Sequence, residues 1–325
     1  MRSLRQEKQR DIRRALVFFI GGRNANRSFV EHRVRFAVIL VTGAAGKTGL
    51  AVIRALTRKG QTVRALVRRE NQVARLQALG VQDLIVGDML VPTTLEQAVR
   101  GVRAIYHICP NVSPAEIAIG ESLISSAHSA GIEFLVYHSV LHPQTEAMPH
   151  HWNKLRVEAA IFESGLSYTI LQPASYMQNI LANWETIIQQ GVYYVPYALE
   201  ARLSIVDLED VAEAASVVLT EAVHAGATYE LAGPEALSQT EVAEVLSRHV
   251  GRPVRVERVR IEEWAKRSRA SGMGEYQLET LVKMFRYYEN YGFRGNPRVL
   301  SNLLGRMPNT FEAFVERVVR QGIGA

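Results

Sequence analysis

A histidine and a lysine stand four positions apart in the stretch MPHHWNK, at His150 and Lys154. Positions i and i+4 share one face of a helix, so the two side chains could reach the same ligand. Lysine offers a fixed positive charge, whereas histidine can hold or release a proton near neutral pH. Because the lysine charge disfavours a second charge beside it, we expect His150 to be neutral. The pair predicts a ligand site with an acid-base group, for which His151 is the rival; alternatively, His150 only packs at a helix start.

Two further reactive side chains close predicted strands upstream of this pair. Ser139 ends the segment EFLVYHSV and could bond a substrate or satisfy its own backbone. Cys109 ends the segment RAIYHIC and could be redox-sensitive, although a lone cysteine is more often a small buried apolar residue. Since it is the only cysteine, no internal disulfide can form, and a cytoplasmic location fits.

Six of the nine histidines lie within 107–151, but their strands do not bring them to one point, so we expect no metal site.

The segment VTGAAGKTG, residues 41–49, has the composition of a phosphate-binding loop. It follows an apolar strand and opens a helix, with glycines at 43, 46 and 49. Gly43 permits a tight turn, Gly46 lets backbone N–H groups approach a pyrophosphate, and Gly49 lets helix and strand touch. The sequence therefore predicts a dinucleotide site rather than a plain glycine-rich turn. The loop residues expected to contact the cofactor are Gly43, Ala45, Gly46, Lys47 and Thr48.

The residues after the second strand bear on which dinucleotide is bound. The strand ends in ALVRRE, so Arg68 and Arg69 stand where a site for NAD usually has a carboxylate. Guanidinium groups suit a 2′-phosphate, and we therefore favour NADP(H) over NAD(H). The alternative is that the arginines are solvated and Glu70 binds the ribose of NAD. Asp88 ends the third strand and could accept from the adenine amino group, or could be an ordinary cap or loop residue.

Strands and helices alternate about every 25 residues from Phe36 to Pro173, which predicts βαβ units and a doubly wound parallel sheet of the α/β class. The predicted strands are 36–43, 61–67, 83–88, 103–109, 133–140 and 166–173. The predicted helices between them are 46–59, 71–80, 93–100, 114–130 and 150–164.

The pattern of the remaining chain predicts three further regions, of which one completes the core and two form a cap. Residues 37–173 form the nucleotide-binding core, which a strand and helix at 203–221 and a strand near 227 complete within 203–232. Residues 174–202 and 233–325 form a mostly helical cap on the substrate side, with helices at 176–190, 238–250, 261–271, 275–290 and 310–320. The cap would line an acceptor pocket or simply pack on the sheet. The expected lining is Tyr176, Met177, Trp184, Tyr193, Tyr194 and Tyr288.

The net charge of +6 is concentrated in a basic extension at residues 1–36. That segment has ten basic and three acidic residues, a charge of +7, so the rest of the chain carries −1. The near-neutral body gives no argument for nucleic-acid binding by the fold. We expect the extension to be a disordered tail or to lie upstream of the true translation start, with a membrane-surface or targeting role as the alternatives. No apolar run approaches the length of a membrane span.

In this order and spacing, the motifs of residues 37–240 resemble the NmrA-like family of atypical short-chain dehydrogenases/reductases. The matching segments are VTGAAGKTG, the arginine after the second strand, GDM, HHWNK, LQPASYMQN and SIVDLEDVA. The resemblance implies a Rossmann fold, a nicotinamide cofactor and a small C-terminal cap. It implies that Lys154 bonds the nicotinamide ribose, that Ser139 takes the place of a substrate-binding serine, and that His150 replaces the usual catalytic tyrosine. We also expect cofactor contacts from Met89, Cys109, Pro110, Ala174 and Tyr176.

Two functions follow from this resemblance. A neutral imidazole is a poor donor to an alkoxide, so we expect reduction of a quinone-like or aromatic acceptor, in which charge is delocalised and water can supply the proton. The alternative is a non-catalytic NADP(H) sensor acting through a protein partner. An enzyme needs space for a small-molecule acceptor above the nicotinamide, and a sensor does not.

Overall fold

The computed structural model of the protein describes residues 38–322, so the prediction for the basic extension at 1–36 lies outside the described residues. A seven-stranded sheet forms the centre, with strands β1 (Ile39–Val41), β2 (Val63–Val67), β3 (Asp83–Val86), β4 (Ala104–His107), β5 (Phe134–His138), β6 (Tyr168–Pro173) and β10 (Ala227–Leu231). Their order is β10-β6-β5-β4-β1-β2-β3, and every neighbouring pair is parallel. The predicted doubly wound α/β fold is confirmed.

The strand order explains why the central strands are continuously apolar. β1 lies between β2 and β4, and helices cover both faces of the sheet, so Ile39, Leu40 and Val41 have no exposed surface. Alternate residues of each strand enter two separate apolar clusters, one on each face. After β3 the chain crosses to the other half of the sheet, which starts with β4, so the two halves meet between β1 and β4. In open α/β sheets, this switch point at the carboxyl ends of the strands is where ligands bind.

Except for two helices of the cap, Trp184–Gln190 and Arg298–Leu304, the helices of the core and cap begin and end close to the predicted positions. Those of the core are α1 (Lys47–Arg58), α2 (Val73–Gln77), α3 (Pro92–Val99), α4 (Glu116–Ser129), α5 (Pro149–Glu163) and α7 (Leu208–Thr220). Those of the cap are α6 (Trp184–Gln190), α8 (Gln239–Val250), α9 (Ile261–Ala270), α10 (Glu275–Tyr291), α11 (Arg298–Leu304) and α12 (Phe311–Arg320). Across residues 38–322, no helix is both long and apolar enough to span a bilayer.

The predicted helix at 176–190 is wrong over its first half. Ser175–Tyr176 form a short strand, β7, Met177–Asn183 form 3₁₀ turns, and the α-helix starts only at Trp184. Tertiary contacts override helical propensity here: Gln178 donates to the Asp207 carboxylate at 2.7 Å and accepts from the Leu208 backbone. Residues 177–183 therefore join the cap to the start of α7.

Besides β7, four elements were missed because their patterns are short. Three are strands: β8 (Val192–Val195), β11 (Ala236–Leu237) and β12 (Arg255–Arg258). β12 pairs with β8 in one small sheet, and β11 pairs with β9 (Leu203–Val206) in another that also contains β7. The fourth missed element is helix α11. Pro297 before it and Gly305 in a left-handed conformation after it are the start and stop signals that could have predicted it.

Candidate functional site

A cavity of about 1050 Å³ opens at the carboxyl ends of the central strands, between the sheet and the cap. It reaches from the glycine loop at one end to aromatic side chains of the cap at the other. All of the residues predicted to bind cofactor or take part in catalysis contribute to its wall. Sequence spacing thus located one continuous site, although the roles of these residues stay predictions.

The three glycines of the loop are constrained in different ways. Gly43 has φ +56°, and a Cβ there would lie 2.9 Å from the Ile108 carbonyl oxygen. A Cβ on Gly49 would lie 2.5 Å from the Gly43 oxygen and 2.7 Å from Ala44 Cα, so no side chain fits between helix and loop. At Gly46 the only close atom is the Gly43 oxygen, at 3.2 Å. Gly43 and Gly49 are therefore required by the fold, whereas Gly46 mainly keeps the adjoining space open.

The N-terminus of α1 is built to receive an anion. Gly46 is its N-cap and supplies no side-chain cap, and no acidic residue lies in the first turn. The first backbone N–H groups of a helix have no intrahelical acceptors, and the helix dipole is positive there. Lys47 adds a positive charge at this end, where it would be unfavourable without a negative partner. This end of the cavity fits the pyrophosphate of a dinucleotide.

Lys47 is held over the cavity by residues from the start of the cap. Its Nζ donates to Asn179 Oδ1 at 2.6 Å and lies 5.5 Å from the centre of the Tyr176 ring. Burial lowers the pKa of Lys47 from its usual value. Sequence reasoning missed Asn179, which lies in the segment that was predicted to be helical.

The two arginines after β2 also line the cavity. The backbone N–H groups of Arg68 and Arg69 both donate to Gln72 Oε1 at 3.1 Å, which fixes the turn without using the guanidinium groups. Arg68 Nε lies 4.0 Å from Asp88 Oδ2, and both side chains are largely exposed. Glu70, the alternative ribose partner, is not part of the cavity wall as residues 38–322 define it.

Asp88 is a loop residue within the cavity wall. Its Oδ1 accepts from the Leu90 backbone N–H at 3.0 Å, while the N-cap of the next helix is Val91. This local bond uses one carboxylate oxygen and leaves the other toward Arg68. A contact with adenine therefore stays a prediction.

Lys154 is positioned by a buried carboxylate that the sequence reading did not identify. Its Nζ donates to Glu116 Oε1 at 2.8 Å and to the His138 carbonyl at 3.2 Å. Tyr137 Oη also donates to Glu116 at 2.8 Å, and Glu116 is only 4% exposed. Burial alone would raise the pKa of Glu116, but the charge and hydrogen bond of Lys154 hold it below its usual value. Glu116 is thus an ionised, buried partner that orients Lys154 in the cavity wall.

The Ser139 hydroxyl has a partner that neither sequence interpretation considered. It donates to Glu158, whose two carboxylate oxygens also accept from Gln172 Nε2 at 3.0 Å. Burial raises the pKa of Glu158. Ser139 lines the cavity, but its hydrogen is engaged by Glu158, so only its oxygen lone pairs remain for a ligand.

His150 and His151 are both neutral. Burial, followed by the nearby His151 and the Lys154 charge, lowers the pKa of His150 to about 2. Burial lowers that of His151 to about 4. His151 Nδ1 contacts the His142 carbonyl at 3.2 Å, which can only accept, so its proton sits on Nδ1. His150 Nδ1 is buried and has no hydrogen-bond partner among the described residues. Neither ring can act as an imidazolium donor near neutral pH.

A buried chain of hydrogen bonds fixes Tyr176 in the cavity wall. Tyr106 Oη lies 2.7 Å from His138 Nδ1, and His138 Nε2 lies 2.6 Å from Tyr176 Oη. In a neutral imidazole one ring nitrogen donates and the other accepts, so His138 donates to one of the two phenols and accepts from the other. Burial lowers the pKa of His138 to about 3, which keeps it neutral in this arrangement. The network holds the Tyr176 ring rigidly in the cavity wall.

The remaining predicted contacts are largely apolar. Cys109 is 5% exposed, and burial raises the pKa of its thiol far above the usual value, as expected for a small buried residue rather than a reactive thiolate. Met89, Pro110 and Ala174 line the same cavity. Within residues 38–322 no group of three or more His, Cys, Asp or Glu side chains is placed to hold a metal ion.

The cap end of the cavity is aromatic, with one correction to the prediction. Tyr176, Met177, Tyr193, Tyr194 and Tyr288 line it, but Trp184 does not. Trp184 is 5% exposed and packs in the apolar cluster instead, because it is the first residue of α6 and faces inward. Five aromatic residues that the sequence reading missed complete the wall. They are Tyr197, Trp264, Phe285, Phe293 and Phe311.

Comparison with known proteins agrees with this architecture. The model of the NmrA-like family matches residues 36–315. An NAD(P)H azoreductase from Xenophilus azovorans is 31% identical over 284 residues, 86% of this chain and 97% of that protein. A structure of the NADPH-dependent quinone oxidoreductase from Escherichia coli complexed with NADPH has a TM-score of 0.76 at 26% identity, over 86% of this chain and 99% of that one. A structure of a triphenylmethane reductase from Citrobacter sp. has a TM-score of 0.77 at 25% identity, over 87% of this chain and 99% of that one.

Proposed function

Because the chain belongs to the NmrA-like family, we propose that it is an NAD(P)H-dependent oxidoreductase that reduces a small quinone-like or aromatic acceptor. Relatives named as an azoreductase and a quinone oxidoreductase, aligned over 86% of the chain, support a reductase. The observation that carries the proposal is the cavity itself. It is continuous from an anion-binding glycine loop to an aromatic chamber, so a hydride donor and a flat acceptor can lie side by side.

On this proposal, the cofactor end uses the residues whose geometry fits a phosphorylated dinucleotide. The N-terminus of α1 and Lys47 receive the pyrophosphate, Arg68 and Arg69 receive the 2′-phosphate, and Lys154 donates to the nicotinamide ribose. Bound NADPH supplies a hydride. Glu116 holds Lys154 in place, and the ring of Tyr176 provides a fixed aromatic surface in the same wall.

The protonation states of the histidines restrict the acceptor. A carbonyl that becomes an alkoxide needs a strong proton donor in the transition state. His150 and His151 are neutral, and Ser139 already donates to Glu158. Quinones, azo compounds and conjugated dyes spread the incoming charge and accept a proton from water. The site therefore suits conjugated acceptors better than simple ketones.

The cavity also bears on the sensor alternative. A sensor needs only a cofactor groove, whereas this cavity continues beyond the cofactor end into a chamber with walls from β8 and from α9 and α10 of the cap. This favours the enzyme. The test is to mix purified protein with NADPH and a panel of quinones, azo dyes and enones, and to follow loss of the nicotinamide absorbance. Absence of turnover across the panel, with NADPH still bound, would favour the sensor.

We expect Arg68→Ala to reduce the preference for NADPH over NADH. A charge-assisted bond to a phosphate is worth about 1.5–3 kcal/mol, so NADPH affinity should fall roughly tenfold to a hundredfold while NADH affinity stays the same. Calorimetric titration with each cofactor measures this. Arg75→Ala is the matched control, since Arg75 is exposed and does not line the cavity. Unchanged preference in Arg68→Ala would reject the assignment of a 2′-phosphate to this residue.

We expect His150→Ala to keep NADPH affinity and to slow turnover by less than the 10²–10⁴-fold, in order of magnitude, that loss of an essential acid causes. Since the pKa of His150 is about 2, the imidazole does not change charge between pH 5 and 9. The pH–rate profile of the parent should therefore show no inflection near 6.5 that the substitution removes. An inflection that disappears in His150→Ala would make His150 a titrating catalytic acid.

A further inference from the structure

The charges in the cavity wall are strongly one-sided. Among the described residues, Asp88 is the only acid in the wall, against five basic residues. These are Lys47, Arg68, Arg69, Lys154 and Arg267. The first four lie at the end that suits the cofactor: its phosphates would neutralise Lys47, Arg68 and Arg69, and Glu116 already neutralises Lys154. Arg267 is different because it comes from the cap helix α9, so its charge is left for the acceptor chamber.

Arg267 lies on the outer part of the aromatic wall. It shares a face of α9 with Trp264, three residues earlier, which also lines the cavity. Ring contacts lead inward from Trp264 through Phe285, Tyr197, Tyr288 and Phe293 to His151, with centroid separations of 4.7, 5.8, 5.9, 5.2 and 5.6 Å. A flat acceptor lying along this wall would therefore have one end at the neutral histidines and the other near Arg267.

The present partner of Arg267 can be exchanged for a ligand. Its guanidinium pairs with Glu263 one helical turn earlier, and the two side chains are 63% and 50% exposed. Exposed pairs of this kind contribute little to stability. Glu263 is not part of the cavity wall within residues 38–322. The planar guanidinium can thus turn toward an anion in the chamber at small cost, and two parallel N–H donors suit a carboxylate or sulfonate.

We propose that Arg267 forms an anion subsite at the cap end of the chamber, which binds a carboxylate or sulfonate substituent of an elongated aromatic acceptor. The inference rests on the proposed function for the identity of the ligand as an acceptor. The chamber prefers anionic over neutral aromatic ligands and disfavours cationic ones, since no described acid of the chamber could pair with a cation. Arg267 therefore determines specificity and takes no part in hydride or proton transfer.

The test measures binding, so that it does not depend on turnover. The protein, saturated with NADP⁺, is titrated by calorimetry with anthraquinone-2-sulfonate, with neutral 2-(hydroxymethyl)anthraquinone and with a trimethylammonium-methyl analogue. Arg267→Gln should weaken sulfonate binding about tenfold and leave the neutral compound unchanged. Glu263→Gln, which frees Arg267, should strengthen sulfonate binding by roughly two- to fivefold. Arg269→Gln is the matched control, because Arg269 pairs with Glu275 at 2.7 Å and does not line the cavity.

The outcomes separate this subsite from the proposed function. If Arg267→Gln lowers the affinity for all three ligands equally, or leaves the sulfonate affinity unchanged, the proposed subsite is wrong even if the protein reduces quinones. A sulfonate preference that responds to both substitutions in opposite directions supports the subsite, even if no acceptor in the turnover panel is reduced. Tighter binding of the cationic analogue than of the sulfonate would also reject it.

Discussion

Replacing Lys154 by methionine should lower the free energy of unfolding by about 3–5 kcal/mol and also abolish tight NADPH binding. Methionine keeps the length and apolar stem of the side chain, so the change removes mainly the charge. It leaves Glu116, which is 4% exposed, without its cation in the interior. The stability loss thus comes from an uncompensated buried carboxylate, and the binding loss from the missing donor to the ribose. Denaturant unfolding and calorimetry measure the two effects separately.

A second substitution separates these effects. Glu116→Gln combined with Lys154→Met removes both charges, so most of the lost stability should return, while NADPH binding stays weak. Glu116→Gln alone should keep Lys154 in the wall but loosen its position, and should weaken NADPH less than Lys154→Met does. If the double variant is no more stable than Lys154→Met alone, the buried charge of Glu116 is not the cause of the loss.

The same pair makes a prediction about pH. The pKa of Glu116 is lowered in the folded protein, so the pair stabilises the fold above the unfolded value of about 4.3, and this contribution is lost as pH falls through the folded pKa. In Lys154→Met the buried carboxyl has a raised pKa instead, and its penalty is relieved as it takes up a proton in acid. The stability difference between parent and variant should therefore narrow as pH is lowered from 7 to 4.

The fold was predictable because its signals are local. The buried strand Ile39–Val41, the glycines that follow it and the start of a helix at Lys47 all lie within one short segment, and each later βα unit repeats the pattern. The same holds for the spacing that places His150 and Lys154 on one helix in the cavity wall. The spacing of apolar residues and the residue types that begin and end a helix depend only on neighbouring positions, so a sequence shows them directly.

What the sequence could not show are partners that are distant along the chain. Glu116 meets Lys154 across 38 residues, and Asn179 meets Lys47 across 132. The 3₁₀ turns of 177–183 are likewise held by a contact with Asp207, the N-cap of α7, and Trp184 turns inward to pack in the apolar cluster. The position of Glu116 in the first turn of α4, the helix that follows β4, was visible in the sequence. Nothing in the neighbouring residues, however, distinguishes a buried carboxylate from an exposed one at that position.

The glycine loop allows a sharper test of which residues serve the fold and which serve the cofactor. Gly49→Ala should lower the free energy of unfolding by about 1–3 kcal/mol, because its Cβ would meet backbone atoms at 2.5 and 2.7 Å and force α1 away from the loop. Gly46→Ala should change stability by no more than about 1 kcal/mol, the cost of alanine at an N-cap. Gly46 has φ −73° and ψ 163°, which alanine adopts readily.

NADPH affinity should respond differently from stability: Gly46→Ala, which changes stability least, should weaken cofactor binding directly. In Gly46→Ala, the added methyl group would occupy the space beside the first N–H groups of α1. A pyrophosphate could then no longer approach the backbone, and NADPH affinity should fall at least about tenfold. Thermal unfolding with and without NADPH shows both effects together, since ligand that binds only the folded state raises its stability in proportion to its affinity. Gly46→Ala should melt close to the parent without NADPH and gain much less from it. A full NADPH-dependent increase in Gly46→Ala would mean that no phosphate approaches the backbone at this glycine, and the pyrophosphate would then have to bind elsewhere along the cavity.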